Sequence, residues 1–176
     1  MSSNVITGKA WVGGDDIYAF DIFPQKGWGL DPFNQSDEVV SMVMENVIPE
    51  IAGKPYGFRD LGYSIVIAGR NFGGGGKSIE HPIVGLKGAG IKVVLADSFA
   101  RYNFRNSINN ALPVIVCEGL NQIVSTGDEV SVDLETGTVE DLTNGKKASF
   151  KPLSGYAMEI IRAGGLIAYT QKKMSK

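Results

Sequence analysis

The sequence predicts an α/β fold with a parallel βαβαβ core and a small antiparallel β part. Two observations carry this. Three continuous apolar runs, YSIVIA (63–68), IKVVLA (91–96) and PVIVC (113–117), are spaced by segments of helix length. Strands that are apolar throughout are buried on both faces, as in a parallel sheet with right-handed crossovers. Beyond residue 120 the chain reads EVSVDLETGTVEDLTNGKKASF, where apolar and polar residues alternate around Glu-Thr-Gly (135–137) and Thr-Asn-Gly (143–145). Alternation broken by such turn residues is antiparallel hairpin chemistry. At 176 residues the chain suffices for one domain with a real core and is short for two, so 1–176 is read as a single compact domain.

Taken in order, residues 4–13 read as a strand ending at Gly13-Gly14. Residues 15–37 hold turn formers and aromatics with no clear period, which predicts a long ordered loop of the kind that often carries function. Ser36 or Asp37 is the expected cap of a helix over 38–48, with Val39, Val40, Val43 and Val47 on one face. After the strand 63–68, Ser78 is the expected N-cap of a helix over 79–88, with Pro82 in its first turn. Ser98 is the expected cap of a helix over 99–110. A last helix, 153–163, should end at Gly164-Gly165, and the polar tail QKKMSK should fray.

A formal charge of −2 without a basic block argues against nucleic-acid binding, which needs a cationic footprint. No apolar run reaches the roughly 18 residues of a membrane span, and MSSNVITGKAW has no signal-peptide pattern. A cytoplasmic protein is expected, with neither nucleic acid nor membrane as partner. There is one cysteine, Cys117, and one histidine, His81, so the chain alone builds neither a disulfide nor a Cys- or His-rich metal site. Cys117, in PVIVC, is expected as a packed strand thiol.

The functional question centres on SIVIAGRNFGGGGKSIEH (64–81), where a strand runs into four glycines, Lys77 and Ser78. A P-loop needs a glycine five residues before the glycine of Gly-Lys-Ser. That position is Asn71, so the tight turn fails. Two other readings stay open: a loop whose glycines only permit close packing, and an oxyanion site at a strand end. The second fits better, because outward backbone amides bind a carboxylate as well as a phosphate.

The run GRNFGGGGKSIEHPIVGLKGAGIKVVLADSFARYNFRNSINNALP resembles the swivelling domain of the aconitase superfamily. Within it the chain is similar to the small-subunit family of 3-isopropylmalate dehydratase and homoaconitase-type enzymes. The family motif reads roughly N-F-G-C-G-S-S-R-E-H, then S-F-A-R-I-F-Y-R-N-A-I-N. Ser98-Phe99-Ala100-Arg101, Arg105-Asn106 and Ile108-Asn109 match its second half, and GDEVSVDLETG and AGGLIAY are similar to its ending. The resemblance spans essentially the whole chain.

It implies a hydro-lyase that dehydrates a hydroxy di- or tricarboxylic acid, in which this chain pairs with a large subunit holding a [4Fe-4S] cluster on three cysteines. This chain would bind no cofactor itself. A serine base and a carboxylate-binding arginine are implied on the small subunit. Here the sequence departs. With Glu80-His81 as anchor, the serine falls on Lys77 and the arginine on Ile79, and the loop is one residue longer; a different gap moves Ser78 into the base role. Lys77 and Ser78 are therefore the candidate catalytic residues, and Gly74, Gly75 and Gly76 candidate carboxylate binders. Ile79 cannot replace a bidentate clamp, whereas Lys77, at a helix N-terminus, could bind a carboxylate or, desolvated, act as base. A cation there opposes the helix dipole, so an anionic ligand is expected nearby.

The family's Asp-Thr-Asp region becomes Tyr18-Ala19-Phe20, and the following loop, QKGWGLDPFN, is rich in aromatics. The expectation is a divergent dehydratase with a less acidic, more apolar or aromatic substrate; the alternative is a non-catalytic swivel relative. Trp28 and Phe33 are candidates for a substrate-facing surface or a hydrophobic cover. Arg101 and Arg105 share a helix face and either bind substrate or partner, or tie the loop down through backbone carbonyls. His81 is expected to support the loop, and Asn106 and Asn109 to satisfy buried backbone groups.

Overall fold

The structure, a computed structural model, describes residues 4–34 and 36–175. Strands β1 (Val5–Val12), β2 (Ile65–Ala68), β3 (Val93–Ala96), β4 (Val114–Val116), β5 (Glu129–Asp133), β6 (Thr138–Asp141) and β7 (Lys147–Ser149) form one seven-stranded sheet in the order β4-β3-β2-β1-β5-β6-β7. The helices α1 (Ala19–Ile22), α2 (Ser36–Met42), α3 (Gly57–Asp60), α4 (His81–Gly88), α5 (Arg101–Asn109), α6 (Gly155–Ala163) and α7 (Leu166–Met174) surround it. The expected βαβαβ unit is β2-α4-β3-α5-β4, with all three strands parallel.

The strand joining the two parts is β1. Its second half pairs parallel to β2, Ala10 with Ile65 through Val12 with Ile67. Its first half pairs antiparallel to β5, Val5 with Asp133 through Lys9 with Glu129. Alternate residues of the parallel strands feed two cores. Val66, Ala68, Val94, Ala96 and Val114 meet Val40, Val43, Ile83, Leu86 and Ile108 of the helical layer. Ile65, Ile67, Val93, Leu95 and Ile115 meet Val130, Val132, Val139 and Phe150, so the antiparallel strands curl over the second face, with Leu120 and, from α6, Met158 completing that core. That double cover is why these strands read as unbroken apolar runs.

Several local expectations change. The segment 15–37 is not irregular throughout, because it contains α1 and a 3-10 turn over Gln25–Gly27. The helix expected over 38–48 is α2, which ends at Met42. It stops because the Met44 amide donates to Ile22 O at 2.7 Å, with Met44 at φ 66°. Because α2 begins at Ser36, its cap position, 35, lies outside the described residues, and Asp37 lies in its first turn.

Ser78 does not cap α4, which starts at His81 behind Glu80, with Pro82 in its first turn as expected. Nor does Ser98 cap α5, whose N-cap is Ala100; the Ser98 hydroxyl instead accepts from the Asn71 amide at 2.9 Å. Helix α6 begins two residues later than expected, with Ser154 Oγ accepting from Ala157 N at 3.3 Å, and ends as expected at Gly164, φ 91°. Residues 171–174 of the polar tail, expected to fray, are helical, the end of α7, which is held further back by Tyr169, buried and donating to Glu159 at 3.1 Å; residue 176 lies outside the described residues.

Candidate functional site

The parallel strands end at Val12, Ala68, Ala96 and Val116. Their following segments meet at one edge, the usual place for a site in an open α/β sheet. The glycine loop occupies the middle of that edge, and its first half continues the sheet. On one side Gly69 N donates to Gly14 O at 2.9 Å, Asp16 N to Arg70 O at 2.8 Å, Gly73 N to Ile17 O at 2.7 Å and Ala19 N to Gly74 O at 3.0 Å. On the other side Phe72 N donates to Ser98 O at 3.0 Å and Ala100 N to Phe72 O at 2.9 Å.

Side chains lock the same stretch. The Asp15 carboxylate accepts from Arg70 N and Nη2 at 2.8 Å and from Nε at 3.0 Å. The Arg70 backbone amide and guanidinium hold the Asp15 carboxyl below the usual carboxylate range. Asn71, in the left-handed region at φ 62°, donates through Nδ2 to Asp16 at 2.9 Å. Asn103 of α5 is buried beneath Gly73, and its Oδ1 has no partner among the described residues. Contact there is so close that a Cβ on Gly73 would lie 2.2 Å from Asn103 Cγ.

The second half differs. Gly75, Gly76, Lys77 and Ser78 are exposed, and their amides have no partner among the described residues. Of the three glycines expected to bind a carboxylate, Gly74 spends its amide on Asn71 O at 3.2 Å and is buried, whereas Gly75 and Gly76 present theirs to solvent. Lys77 lies four residues before α4 rather than in its first turn, and it is exposed, so its use as a base would need a partner or ligand to cover it. Its Nζ sits 5.1 Å from the centroid of the half-buried Trp28 ring. Ser78 Oγ accepts from Asn106 Nδ2 at 3.4 Å, and that nitrogen also reaches Ile79 O at 3.3 Å.

Asn106 thus satisfies loop backbone as expected. Asn109 is exposed, and Asn110 takes the role assigned to it, donating to Asn106 O at 2.9 Å and Glu80 at 3.4 Å. Arg101 and Arg105 do not tie the loop down: both are exposed, with no hydrogen bond or ion pair among the described residues. His81 is structural, but it holds the aromatic segment before α2 rather than the glycine loop it was expected to support. Its Nε2 donates to Leu30 O at 2.8 Å and its ring stacks on Phe23 at 5.1 Å. Phe33 is 58% exposed and borders a shallow surface pocket with Val84, Lys87 and Asn110.

Cys117 is buried one residue past β4, and burial, then the Asp97 charge, pushes its thiol up, so it is an inert packing residue. Among the described residues no group of His, Cys, Asp and Glu could hold a metal ion, and no helix is long and apolar enough to cross a membrane. Sequence reasoning missed the Asp15–Arg70 pair, the Asp16–Asn71 bond and Asn103. The available signal was Asp15-Asp16 placed directly after Gly13-Gly14, polar turn formers at a strand end.

Chemically, the edge offers free amides, a hydroxyl that receives a hydrogen bond, and unpaired cations, an arrangement suited to a carboxylate and to proton transfer beside it. The chain is similar to known proteins along its length. The Aconitase C-terminal domain family matches residues 36–118. The isopropylmalate/citramalate isomerase small subunit of Methanocaldococcus jannaschii is 38% identical over 98% of both chains. The 3-isopropylmalate dehydratase small subunit of Pyrobaculum calidifontis is 40% identical over 96% of this chain and 99% of that one. The crystal structure of 3-isopropylmalate dehydratase from Methanocaldococcus jannaschii superposes with a TM-score of 0.80 at 30% identity, over 97% of this chain and 95% of that one.

Proposed function

The chain belongs to the family of 3-isopropylmalate dehydratase small subunits, and from that premise we propose how it works as the small subunit of a hydro-lyase. The whole chain, 1–176, acts as one swivel-type unit beside an iron–sulfur large subunit in the cytoplasm. The substrate is a small hydroxy di- or tricarboxylic acid related to isopropylmalate.

A [4Fe-4S] cluster needs thiolate ligands, and this chain has only the buried Cys117; the cluster therefore belongs to the partner. Bound there, it would supply Lewis acidity toward the substrate hydroxyl. This chain's part is to hold the carboxylate and move the proton. The free amides of Gly75 and Gly76 receive carboxylate oxygens, and Arg101 and Arg105 supply cations that have no partner among the described residues. Ser78 or Lys77 takes the proton from the carbon next to the leaving hydroxyl. Asn106, donating to Ser78 Oγ, favours its anionic form.

The observation that carries this reading is the exposed, unpaired second half of the loop, placed at the carboxyl ends of the parallel strands. The test is co-expression with the large subunit, anaerobic cluster reconstitution, and ultraviolet absorbance of the enoate product. The panel holds isopropylmalate, benzylmalate, methylmalates, dimethylmalate, homocitrate and citrate. Turnover of one of them supports the reading. Silence across the panel, with complex and cluster intact, overturns it in favour of a non-catalytic swivel domain.

A further inference from the structure

We propose that the site selects a hydroxy diacid bearing a ring-sized apolar group, and that Phe20 is the residue that selects it; this rests on the hydro-lyase reading above. Two aromatic faces flank the open half of the loop. Phe20, the second residue of α1, is 39% exposed. The loop passes so near it that a Cβ on Gly75 would lie 2.9 Å from Phe20 Cε1. Tyr18 backs it, ring centroids 5.3 Å apart, and lies equally close to Gly74. On the other flank Trp28 carries the Lys77 ammonium over its face.

The distribution of charge argues the same way. Residues 71–80 hold no arginine, and the neighbouring Arg70 is spent on Asp15. A third carboxylate on the substrate would want a forked donor, and the loop's one cation, Lys77, is a point charge already resting on Trp28. The exposed cations left over, Arg101 and Arg105, suffice for the carboxylates that every candidate diacid shares. A methyl substituent would leave the Phe20 face in water. A phenyl or similarly large group removes apolar area on both partners and can pack edge or offset on the Phe20–Tyr18 pair.

The assay uses the reconstituted complex and compares kcat/KM for benzylmalate, isopropylmalate, citramalate and homocitrate. Benzylmalate should exceed citramalate and homocitrate by at least ~10-fold, the range that pocket apolar contacts give. Phe20→Ala should lower benzylmalate kcat/KM by ~10-fold through KM, at least five times more than it lowers that of citramalate, on the order expected for one apolar contact. A preference for homocitrate or citramalate, or equal losses in Phe20→Ala, overturns the proposal. If no acid is turned over, the hydro-lyase reading fails, and calorimetric binding of benzylsuccinate against methylsuccinate to the same complex decides the selectivity separately. Tighter benzylsuccinate binding that is lost in Phe20→Ala upholds it; equal or absent binding overturns it.

Discussion

Residues 71–74 and 75–78 are neighbours in one loop and are built in opposite ways. The first four are held from both sides, by Ile17 and Ala19 on one flank and by Ser98 and Ala100 on the other, with Asn71 bonded to Asp16. The next four are exposed, and their amides have no partner among the described residues. The contrast separates two uses of glycine. At Gly73 the missing side chain lets the loop lie on Asn103; at Gly76, φ 73°, nothing stands within 4 Å of a Cβ, and only the backbone conformation asks for glycine. A rigid first half fixes where the chain leaves the sheet. The second half can then adapt to a ligand without disturbing the fold.

The strongest way to break this comparison is Gly73→Ala. Left-handed strain and overpacking against Asn103 together should cost about 3–5 kcal/mol, read by denaturant unfolding. A cost below about 1 kcal/mol would show that the first half is not rigid. Next come Ser78→Ala and Lys77→Met in the assembled enzyme. Removal of the proton acceptor should lower kcat by at least ~10²-fold, about 2.7 kcal/mol of barrier. Each variant's unfolding free energy should move by no more than about 1 kcal/mol, because both side chains are exposed. The variant with the larger kcat loss identifies the base; full turnover in both removes both from that role.

Gly76→Ala sharpens the contrast from the other side, since φ strain alone should cost about 1 kcal/mol. A cost matching Gly73→Ala would erase the difference between the halves. The smallest effect belongs to Asp15. Its folded carboxyl is held low by Arg70, so the stability it adds is present above its unfolded value, roughly pH 3.9, and is lost as pH falls through the lower folded value. Asp15→Asn should therefore lower stability at neutral pH and flatten the acid limb of the stability profile. An unchanged acid limb would show that the exposed pair contributes nothing measurable.

Much of the architecture was legible beforehand. The runs YSIVIA, IKVVLA and PVIVC each contain a parallel strand, and Gly137 and Gly145 both take positive φ at the hairpin turns. The site was legible in part. Lys77, Ser78, Gly75, Gly76, Trp28, Arg101 and Arg105 were expected; among the described residues the amides of 75–78 and both arginines have no partner, while Lys77 lies over Trp28 and Ser78 accepts from Asn106. What escaped were contacts between distant segments. Asp15 and Arg70 are 55 residues apart, as are Asp16 and Asn71. Ser98 reads locally as a helix cap, but its hydroxyl is taken by a loop 27 residues earlier.

The sequence by itself determined the kind and order of the elements: continuous apolar runs for doubly buried strands, alternation for the antiparallel part, and glycines where the chain must turn left-handed. These depend on side-chain period and φ, which are local. Tertiary structure alone decided that β1 joins the parallel and antiparallel parts, that α2 stops where Ile22 captures the Met44 amide, and that the polar tail through Met174 is helical as the end of α7. It also decided which half of the glycine loop is spent on the fold and which is open for chemistry. Whether an amide is free depends on partners brought from elsewhere in the chain, and no local pattern encodes those.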